Sequence, residues 1–294
     1  MQDASKPIWF RKEGEGSEEV RSFVVGEPKY KIFVATPVHS ECSIHYTQAL
    51  LKFQQQCMVN NILVSFSLLK SSLVTQGRNL CVANFLGDKT KFTHMLFVDS
   101  DIDFTFESIT KLLAADKEVI AIPYPMKTIN WDQIYEKVKE GKIKSADDLM
   151  HSGYIFPLKL DNMINPGTTN EVTVINGVLE VSHAPTGCML IKRQVFDKMI
   201  KAYPDDFIDQ PTIINGKVIS NPNMYNFFDT IHDPINKKYY GEDFGFCKKW
   251  TKIGGKCYVY IDEYISHVGE YQYSGRFKDN LDFSRTVDES NKTK

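Results

Sequence analysis

The chain has 294 residues, of which 42% are hydrophobic and 24% charged, as in an ordinary globular protein. Its 35 Lys and Arg residues nearly balance 37 Asp and Glu residues, so no overall basic field favours nucleic acid or an anionic membrane surface as a partner. The six cysteines are widely spaced and include no C-x-x-C pair, which predicts reduced thiols that mostly fill the core.

The start of the chain predicts a polar lead-in over residues 1–28, without the apolar run of a signal peptide. No later stretch approaches the length of a membrane span, so we expect an intracellular, cytoplasmic protein. The first apolar strand is Lys31–Ala35. Thr36-Pro37 is expected to end it, because proline cannot continue a central ladder.

Helices and strands alternate over the next part of the chain. Apolar residues at helical spacing between Tyr46 and Cys57 predict a helix. The elements after it are a strand over 61–69, a helix over 75–87, a strand over 93–101, a helix over 106–116 and a strand over 118–125. This alternation predicts an α/β fold with a mostly parallel sheet flanked by helices. Ligands bind such sheets beyond the carboxyl ends of the strands.

The second half of the chain has a weaker pattern. Residues 127–180 are largely charged and polar, apart from a β-hairpin predicted over 172–181 by an Asn-Gly pair. A second Asn-Gly pair predicts a hairpin over 212–220, as a further addition to the sheet. A helix beginning near Gly241 is expected to end at Gly254-Gly255, and a strand over 257–269 comes after it.

The segment LFVDSDIDFT, residues 96–105, runs from a buried strand directly into three acidic residues. Asp99, Asp101 and Asp103 would share one face if the strand continued, and their charges would repel each other. A solvated turn explains this pattern, and so does a site where oxygen ligands converge on a divalent cation. These ten residues alone leave both interpretations open.

Four segments in order resemble the nucleotide-sugar glycosyltransferases of the GT-A fold, and in particular those encoded by large algal DNA viruses. They are FVDSDIDF, HAPTGCMLIKRQVF, YYGEDFGFCKKW and SHVGEY, which correspond to a DxD motif, a glycine loop, an xED motif and a late histidine. The resemblance covers residues 30–269 and implies a Rossmann-like GT-A domain over 29–270. Residues 29–126 would be its nucleotide-binding half, 127–270 its acceptor-binding and catalytic half, and 271–294 a C-terminal tail.

The function implied by this resemblance is transfer of a hexose or pentose from a nucleotide sugar, expected to be a UDP-sugar. The acceptor would be a hydroxyl group of a glycan or glycoprotein, bound by residues 127–180 together with 220–240. A viral enzyme of this kind would work in the host cytoplasm.

The resemblance also implies a metal site. Asp101 as the last residue of DxD and His267 as the late histidine would hold the cation, while Asp99 would face the ribose or share the metal shell. A mixed nitrogen and oxygen shell suits Mn²⁺, with Mg²⁺ as the alternative. Taken alone, His267 would be read as a hydrogen-bonded residue at the end of a strand.

The remaining expected site residues surround that cation. Asp243 corresponds to the catalytic base, and Glu242 would bind the acceptor or cap the helix. A single base without a second nucleophile favours inversion at the anomeric carbon. The expected nucleotide- and donor-binding residues are Thr36, Pro37, Val38, Arg78, Asp99, Ser100, Thr186 and Gly187. Among them, Arg78 is a candidate contact for the diphosphate or the base, because guanidinium pairs well with phosphate.

Two other functions stay open at this stage. The segment DIDFT over 101–105 formally fits the D-x-D-x-[TV] motif of haloacid-dehalogenase-like phosphatases, although that motif normally comes directly after the first strand. A non-catalytic module that binds nucleotides or sugars could also use the same fold.

Overall fold

The computed structural model describes residues 26–158, 172–214, 216–235 and 237–280. The helices among them are α1 (Ile44–Val59), α2 (Val74–Gly87), α3 (Phe106–Ala115), α4 (Trp131–Lys139), α5 (Ala146–His151), α6 (Arg193–Ala202) and α7 (Glu242–Lys252). The strands are β1 (Lys31–Val38), β2 (Leu63–Lys70), β3 (His94–Val98), β4 (Ile102–Asp103), β5 (Val119–Ala121), β6 (Val174–Ile175), β7 (Val178–Val181), β8 (Cys188–Lys192), β9 (Thr212–Ile214), β10 (Lys217–Ile219), β11 (Ile231–Asp233), β12 (Lys238–Tyr240), β13 (Cys257–Tyr260), β14 (Ile265–Val268) and β15 (Gln272–Gly275). The predicted α/β class is confirmed.

The main sheet has the strand order β2-β1-β3-β8-β5-β13-β7-β6. β1 is parallel to both β2 and β3, and β5 is parallel to β13. Only β8 and β7 run against the common direction in this sheet, so it is mostly parallel, as predicted. The sequence did not predict β8 in an antiparallel position between β3 and β5. Its apolar residues are buried there, in the centre of the sheet.

β1 is longer than predicted, because it continues through Pro37 to Val38. β1 pairs with β2 along its whole length, but with β3 only over Ile32–Ala35. Beyond Ala35 one side of the strand is therefore free, and proline is tolerated where no ladder bond is required.

Alternate residues of the central strands supply two hydrophobic clusters on opposite faces of the sheet. Ile32 and Val34 pack with apolar residues of α1 and α3. Phe33 and Ala35 pack with apolar residues of α2, α6 and α7. Helices thus cover both faces, and five of the six cysteines are buried in this core, as predicted. Within the described ranges, no helix is both long enough and apolar enough to cross a bilayer.

Both predicted hairpins are present, but only β6–β7 extends the main sheet. β9 and β10 form a separate two-stranded sheet, so the prediction that the second hairpin adds to the sheet was wrong. β6 and β7 are antiparallel and joined by Asn176 and Gly177, whose φ angles of 50° and 77° fit a type I′ turn. β9 and β10 pair in the same way around Gly216, which has a φ of 74°, while Asn215 lies outside the described residues.

The predicted strand over 257–269 is two strands in different sheets, so this prediction was wrong. β13 joins the main sheet, whereas β14 pairs with β15 and β4. Two acidic residues between them, Asp262 and Glu263, form ion pairs with Lys278 and Lys111 and break the strand pattern.

The fold continues past the boundary predicted at residue 270. β15 lies there, and Phe277 after it is buried. Residues 281–294 and most of the predicted lead-in, 1–25, lie outside the described residues. α4, α5 and α6 were not predicted.

Candidate active site

A cleft of about 370 Å³ opens at the carboxyl ends of β1, β2 and β3, and we call it the central cleft. Its volume lies in the range of small-molecule sites. Six of the predicted site residues line it: Pro37, Val38, Asp99, Ser100, Asp101 and His267. The sheet edge expected to bind ligand is therefore the edge that carries the cleft.

Asp101 and His267, which are far apart in the chain, meet in the central cleft. His267 Nε2 lies 3.3 Å from Asp101 Oδ2, and the Val268 backbone N–H donates to the Asp101 carbonyl oxygen at 2.7 Å. Lys127 Nζ contacts the same carboxylate oxygen at 2.6 Å. Burial alone would raise the pKa of Asp101, but hydrogen bonds from His267 and Lys127 outweigh it and lower the pKa. Asp101 is thus an ionised carboxylate in this cleft.

The donor atoms of His267 and Asp101 fit a divalent cation. His267 Nδ1 lies 3.0 Å from the Pro125 carbonyl oxygen, which can only accept, so this contact places a proton on Nδ1. Nε2 is then the atom that faces the Asp101 carboxylate: it donates to Oδ2 when the ring carries both protons, and without its proton its lone pair would be available to a cation, as in a metal site whose histidine is oriented by a backbone carbonyl. Over the described ranges, no group of three or more His, Cys, Asp or Glu side chains is arranged to hold a metal. A cation bound by Asp101 and His267 would therefore need oxygen atoms of a bound small molecule to fill most of its coordination positions.

Asp99 binds Arg78, whereas Asp101 faces His267. Arg78 Nη2 donates to both carboxylate oxygens of Asp99, at 3.0 and 3.2 Å, and Nε donates to Glu242 Oε1 at 3.0 Å. The Arg78 guanidinium also lies over the Phe97 ring, 5.3 Å from its centroid. Arg78 is only 2% exposed, whereas the side chains of Asp99 and Glu242 are 28% and 16% exposed, so the guanidinium at the centre of this ion network is buried and its two carboxylates are partly exposed. Its Nη1 has no hydrogen-bond partner in the described structure and is a spare donor.

Asp243 lies in the first turn of α7, next to Glu242. The N-cap is Gly241, which has no side chain to accept from the first turn, and Asp243 Oδ1 accepts from the Phe244 backbone N–H at 2.7 Å. Burial and the neighbouring Glu242 charge raise the pKa of Asp243, against the opposing effects of Phe244 and Arg78. The expected preference for an ionised carboxylate at a helix start is therefore outweighed here. A raised pKa brings a carboxylate closer to the working range of a general base.

Tyr124, which the sequence did not single out, lines the central cleft and is affected by the charges of these groups. Its pKa is raised well above the usual value by burial and by Asp99, and the charges of Asp243 and Asp101 act in the same direction. Its ring packs edge-on against His267 with centroids 5.1 Å apart. One side chain therefore lies within electrostatic reach of both the predicted metal residue and the predicted base.

The Tyr124 ring leaves no room for a side chain at residue 187, which is a glycine. A Cβ atom at residue 187 would lie 2.4 Å from Tyr124 Cε1. The Gly187 carbonyl oxygen accepts from the Asp99 backbone N–H at 3.0 Å, so this loop fixes the start of the DxD motif. Its neighbour Thr186 is 2% exposed.

We expect Gly187→Ala to displace the Tyr124 ring and to destabilise the protein by about 1–3 kcal/mol, the usual effect of overpacking. Urea denaturation measures this change. The double variant Gly187→Ala, Tyr124→Val has room for the added methyl group, so it should be no less stable than Tyr124→Val alone. An equal loss in both backgrounds would contradict the steric explanation.

Thr36 is one of the residues predicted to bind the nucleotide-sugar donor. It is fully buried, and its Oγ1 is hydrogen-bonded to Tyr46 Oη at 2.6 Å. This bond fixes α1 against β1. α1 is also held at the cleft by the Ser43 backbone N–H, which donates to the Ser100 carbonyl oxygen at 2.8 Å.

The three acidic residues of the DxDxD segment do not share one face. β3 ends at Val98, and the turn after it separates them: Asp99 binds Arg78 and Asp101 faces His267. Asp103 lines another pocket, where its Oδ2 lies 4.0 Å from His45 Nδ1. A phosphatase of the DxDxT type requires both of its carboxylates at one phosphate, so this placement disfavours that function.

Further cleft residues were missed by the sequence analysis. Ser71 and Ser72 come directly after β2 and line the central cleft, and Lys127 reaches Asp101 from the loop after β5. The two serines lie at the carboxyl end of a predicted parallel strand, a signal that could have identified them. Tyr124 and Lys127 carry the same signal, because both follow the carboxyl end of β5, which is also a predicted strand.

Comparisons with known proteins do not assign a family. No protein-family model matches the chain, and no curated protein matches its sequence. The solved structures that resemble it include the STIV protein A197 (13% identity, TM-score 0.42, covering 88% of this chain and 99% of that chain), a glycosyltransferase involved in the glycosylation of the major capsid of PBCV-1 (8%, 0.29, 60% and 67%), and 4-diphosphocytidyl-2C-methyl-D-erythritol synthase from Anaerococcus prevotii (10%, 0.31, 76% and 99%). These TM-scores are below 0.5, and we base no functional argument on them.

Proposed function

We propose that the chain is a metal-dependent glycosyltransferase of the GT-A type. It would transfer a sugar from a nucleotide sugar, a UDP-sugar, to a hydroxyl group of a glycan or glycoprotein. The observation that carries this proposal is the meeting of Asp101 and His267, 3.3 Å apart, in a cleft at the carboxyl ends of the central strands. Carboxylate and imidazole atoms converge there on one point, beside an edge where α/β sheets bind ligands.

The donor would occupy the central cleft with its diphosphate at Asp101 and His267. Pro37, Val38 and Ser100 line the cleft and would contact the nucleotide. When bound, Mn²⁺ or Mg²⁺ would neutralise the charge that develops on the leaving diphosphate. Arg78 is buried and does not line the cleft, so its role toward the donor would be indirect: it holds Asp99, which does line the cleft.

Asp243 would act as the general base for inverting transfer. Its carboxylate would accept the proton from the acceptor hydroxyl as that oxygen attacks the anomeric carbon. The proton then stays on Asp243 Oδ while the bond to the diphosphate breaks. Glu242 is bound to Arg78 and would hold the start of α7 at the correct position.

The acceptor would lie against residues 127–180 and 220–240, which follow the region where strands and helices alternate. Within residues 127–158, α4 exposes the aromatic side chain of Trp131, and near the start of α7 the Tyr239 ring is exposed. Exposed aromatic rings stack on the apolar faces of sugars, which supports a glycan as the acceptor. Residues 159–171 of the predicted acceptor-binding stretch lie outside the described residues.

We expect Asp101→Ala to abolish the Mn²⁺-dependent part of UDP binding, because it removes the only carboxylate that faces His267 in the described structure. Isothermal titration with UDP, with and without Mn²⁺, measures this effect. Asp103→Ala is the matched control, since that carboxylate is two residues away and lines another pocket. Equal binding losses in the two variants would contradict the assigned metal site.

The activity itself is tested by incubating the protein and Mn²⁺ with a panel of nucleotide sugars and measuring release of the nucleoside diphosphate. Many glycosyltransferases transfer sugar slowly to water, so turnover is expected for one donor class. Binding of a donor without turnover, even with glycan acceptors added, would favour the non-catalytic module.

A further inference from the structure

Lys127 reaches Asp101 from a loop that backbone hydrogen bonds hold in place. Its Nζ donates to Asp101 Oδ2 at 2.6 Å. Its stem passes Gly269 in the turn after β14, where an added Cβ would lie 3.1 Å from Lys127 Cδ. Backbone hydrogen bonds of its neighbours, from Met126 N to Ile155 O and from Thr128 N to Met126 O, fix the loop. The ammonium group is therefore placed by the fold at the carboxylate that faces His267.

Asp101 uses one carboxylate oxygen, Oδ2, for two contacts. Asp101 Oδ2 contacts both Lys127 Nζ and His267 Nε2. A divalent cation bound to Oδ2 and Nε2 would share that oxygen with the Lys127 ammonium, and two cations so close repel each other. Lys127 and the cation consequently compete for Asp101.

The Lys127 side chain is suited to exchange one anionic partner for another. It is 36% exposed and carries a compact charge on a flexible four-carbon stem. The proposed donor brings a diphosphate into the same cleft, and lysine binds phosphate oxygens as a point charge. Arg78, by contrast, is buried and fixed by Asp99 and Glu242.

We propose that Lys127 is a diphosphate-binding residue that competes with the divalent cation for Asp101. With a divalent cation bound at Asp101 and His267, the Lys127 ammonium would leave Asp101 Oδ2 and would bind an oxygen of the nucleoside diphosphate. This inference rests on the proposed function, because it requires a nucleoside diphosphate and a metal in the central cleft.

The two halves of this proposal predict opposite changes for Lys127→Met. Mn²⁺ alone should bind about tenfold tighter to the variant, because a close competing charge is gone. UDP at saturating Mn²⁺ should bind about tenfold weaker, because a charge-assisted hydrogen bond to phosphate is lost. Electron paramagnetic resonance of free Mn²⁺ and isothermal titration with UDP measure the two affinities.

The control variant is Lys198→Met, which removes an equally close ion pair with Glu118, 2.5 Å long, from the exposed face of α6. It should leave both affinities unchanged. Because pairs as exposed as Lys127 and Asp101 add little stability, Lys127→Met should also fold normally, which circular dichroism checks.

Each of the other possible outcomes overturns a stated part of the proposal. Unchanged Mn²⁺ affinity overturns the competition, and unchanged UDP affinity overturns the diphosphate contact. Weaker binding of both ligands would mean that Lys127 only supports the site. If the unsubstituted protein binds UDP with Mn²⁺ and Lys127→Met behaves identically, only this inference fails. If the unsubstituted protein binds neither ligand, the proposed function fails with it.

Discussion

Arg78→Met should lower the free energy of unfolding by about 3–5 kcal/mol, because removing one partner of a buried ion pair leaves the other charge without compensation. Two carboxylates depend on this guanidinium, Asp99 at the end of β3 and Glu242 at the start of α7. Arg78 is 2% exposed, and both carboxylates raise its pKa against the opposing effect of burial. Urea denaturation at neutral pH measures the change.

Lys198→Met provides the matched control for this prediction. Its pair with Glu118 is as close, at 2.5 Å, but the Lys198 side chain is 53% exposed. Exposed pairs contribute about 0–1 kcal/mol, so this variant should lose much less stability. Comparable losses for the two substitutions would show that the Arg78 network is not the buried link between β3 and α7.

Features that depend on local pattern are predicted well from the sequence. Strand and helix alternation predicts the strands β1, β2 and β3, and their order in the chain places the segments after β1 and β3 at one edge of the sheet. That edge carries the central cleft, with Pro37, Val38, Ser100 and Asp101 in it. His267 was connected to Asp101 only by the family resemblance, and the structure brings the two together.

The parts that could not be predicted depend on contacts between distant segments. An arginine on a helix is usually solvated, and nothing local shows that Arg78 is enclosed by Asp99, Glu242 and Phe97. Gly187 suggests a turn or a close approach, but its neighbour, the Tyr124 ring, comes from another loop.

The antiparallel position of β8 could not be predicted for the same reason, because it also depends on contacts between distant segments. A run of buried apolar residues such as 188–191 specifies a strand but not its direction, since parallel and antiparallel central positions both bury it on two faces. Its placement between β3 and β5 also brings the Gly187 loop to Asp99. Tertiary packing therefore decides both the sheet order and the support of the site.

Asp243→Asn should reduce sugar transfer by roughly 10²–10⁴-fold, the usual contribution of a general base, while UDP binding with Mn²⁺ is retained. Asparagine preserves the shape of the side chain and can still accept from the Phe244 N–H at the same oxygen. It cannot accept the proton of the acceptor hydroxyl. Initial rates of transfer, combined with isothermal titration of UDP, measure the two effects separately.

The pH dependence gives an independent test of this base. Because the pKa of Asp243 is raised, transfer should fall off on the acidic side at a higher pH than an ordinary aspartate would give. The same raised pKa means that the folded protein binds more protons than the unfolded chain between the ordinary and the raised value. Ionising Asp243 therefore lowers stability as pH rises through that window.

Asp243→Asn removes that ionisation, so at neutral pH the variant should be at least as stable as the unsubstituted protein, and its lost activity would not reflect unfolding. Asp103→Asn is the matched control, because burial also raises the pKa of Asp103, in a pocket away from the central cleft. Asp103→Asn should keep the acidic limb of the transfer profile, whereas Asp243→Asn should lose it along with most of the rate. Transfer by Asp243→Asn at the full rate, with the acidic limb unchanged, would rule out this carboxylate as the base.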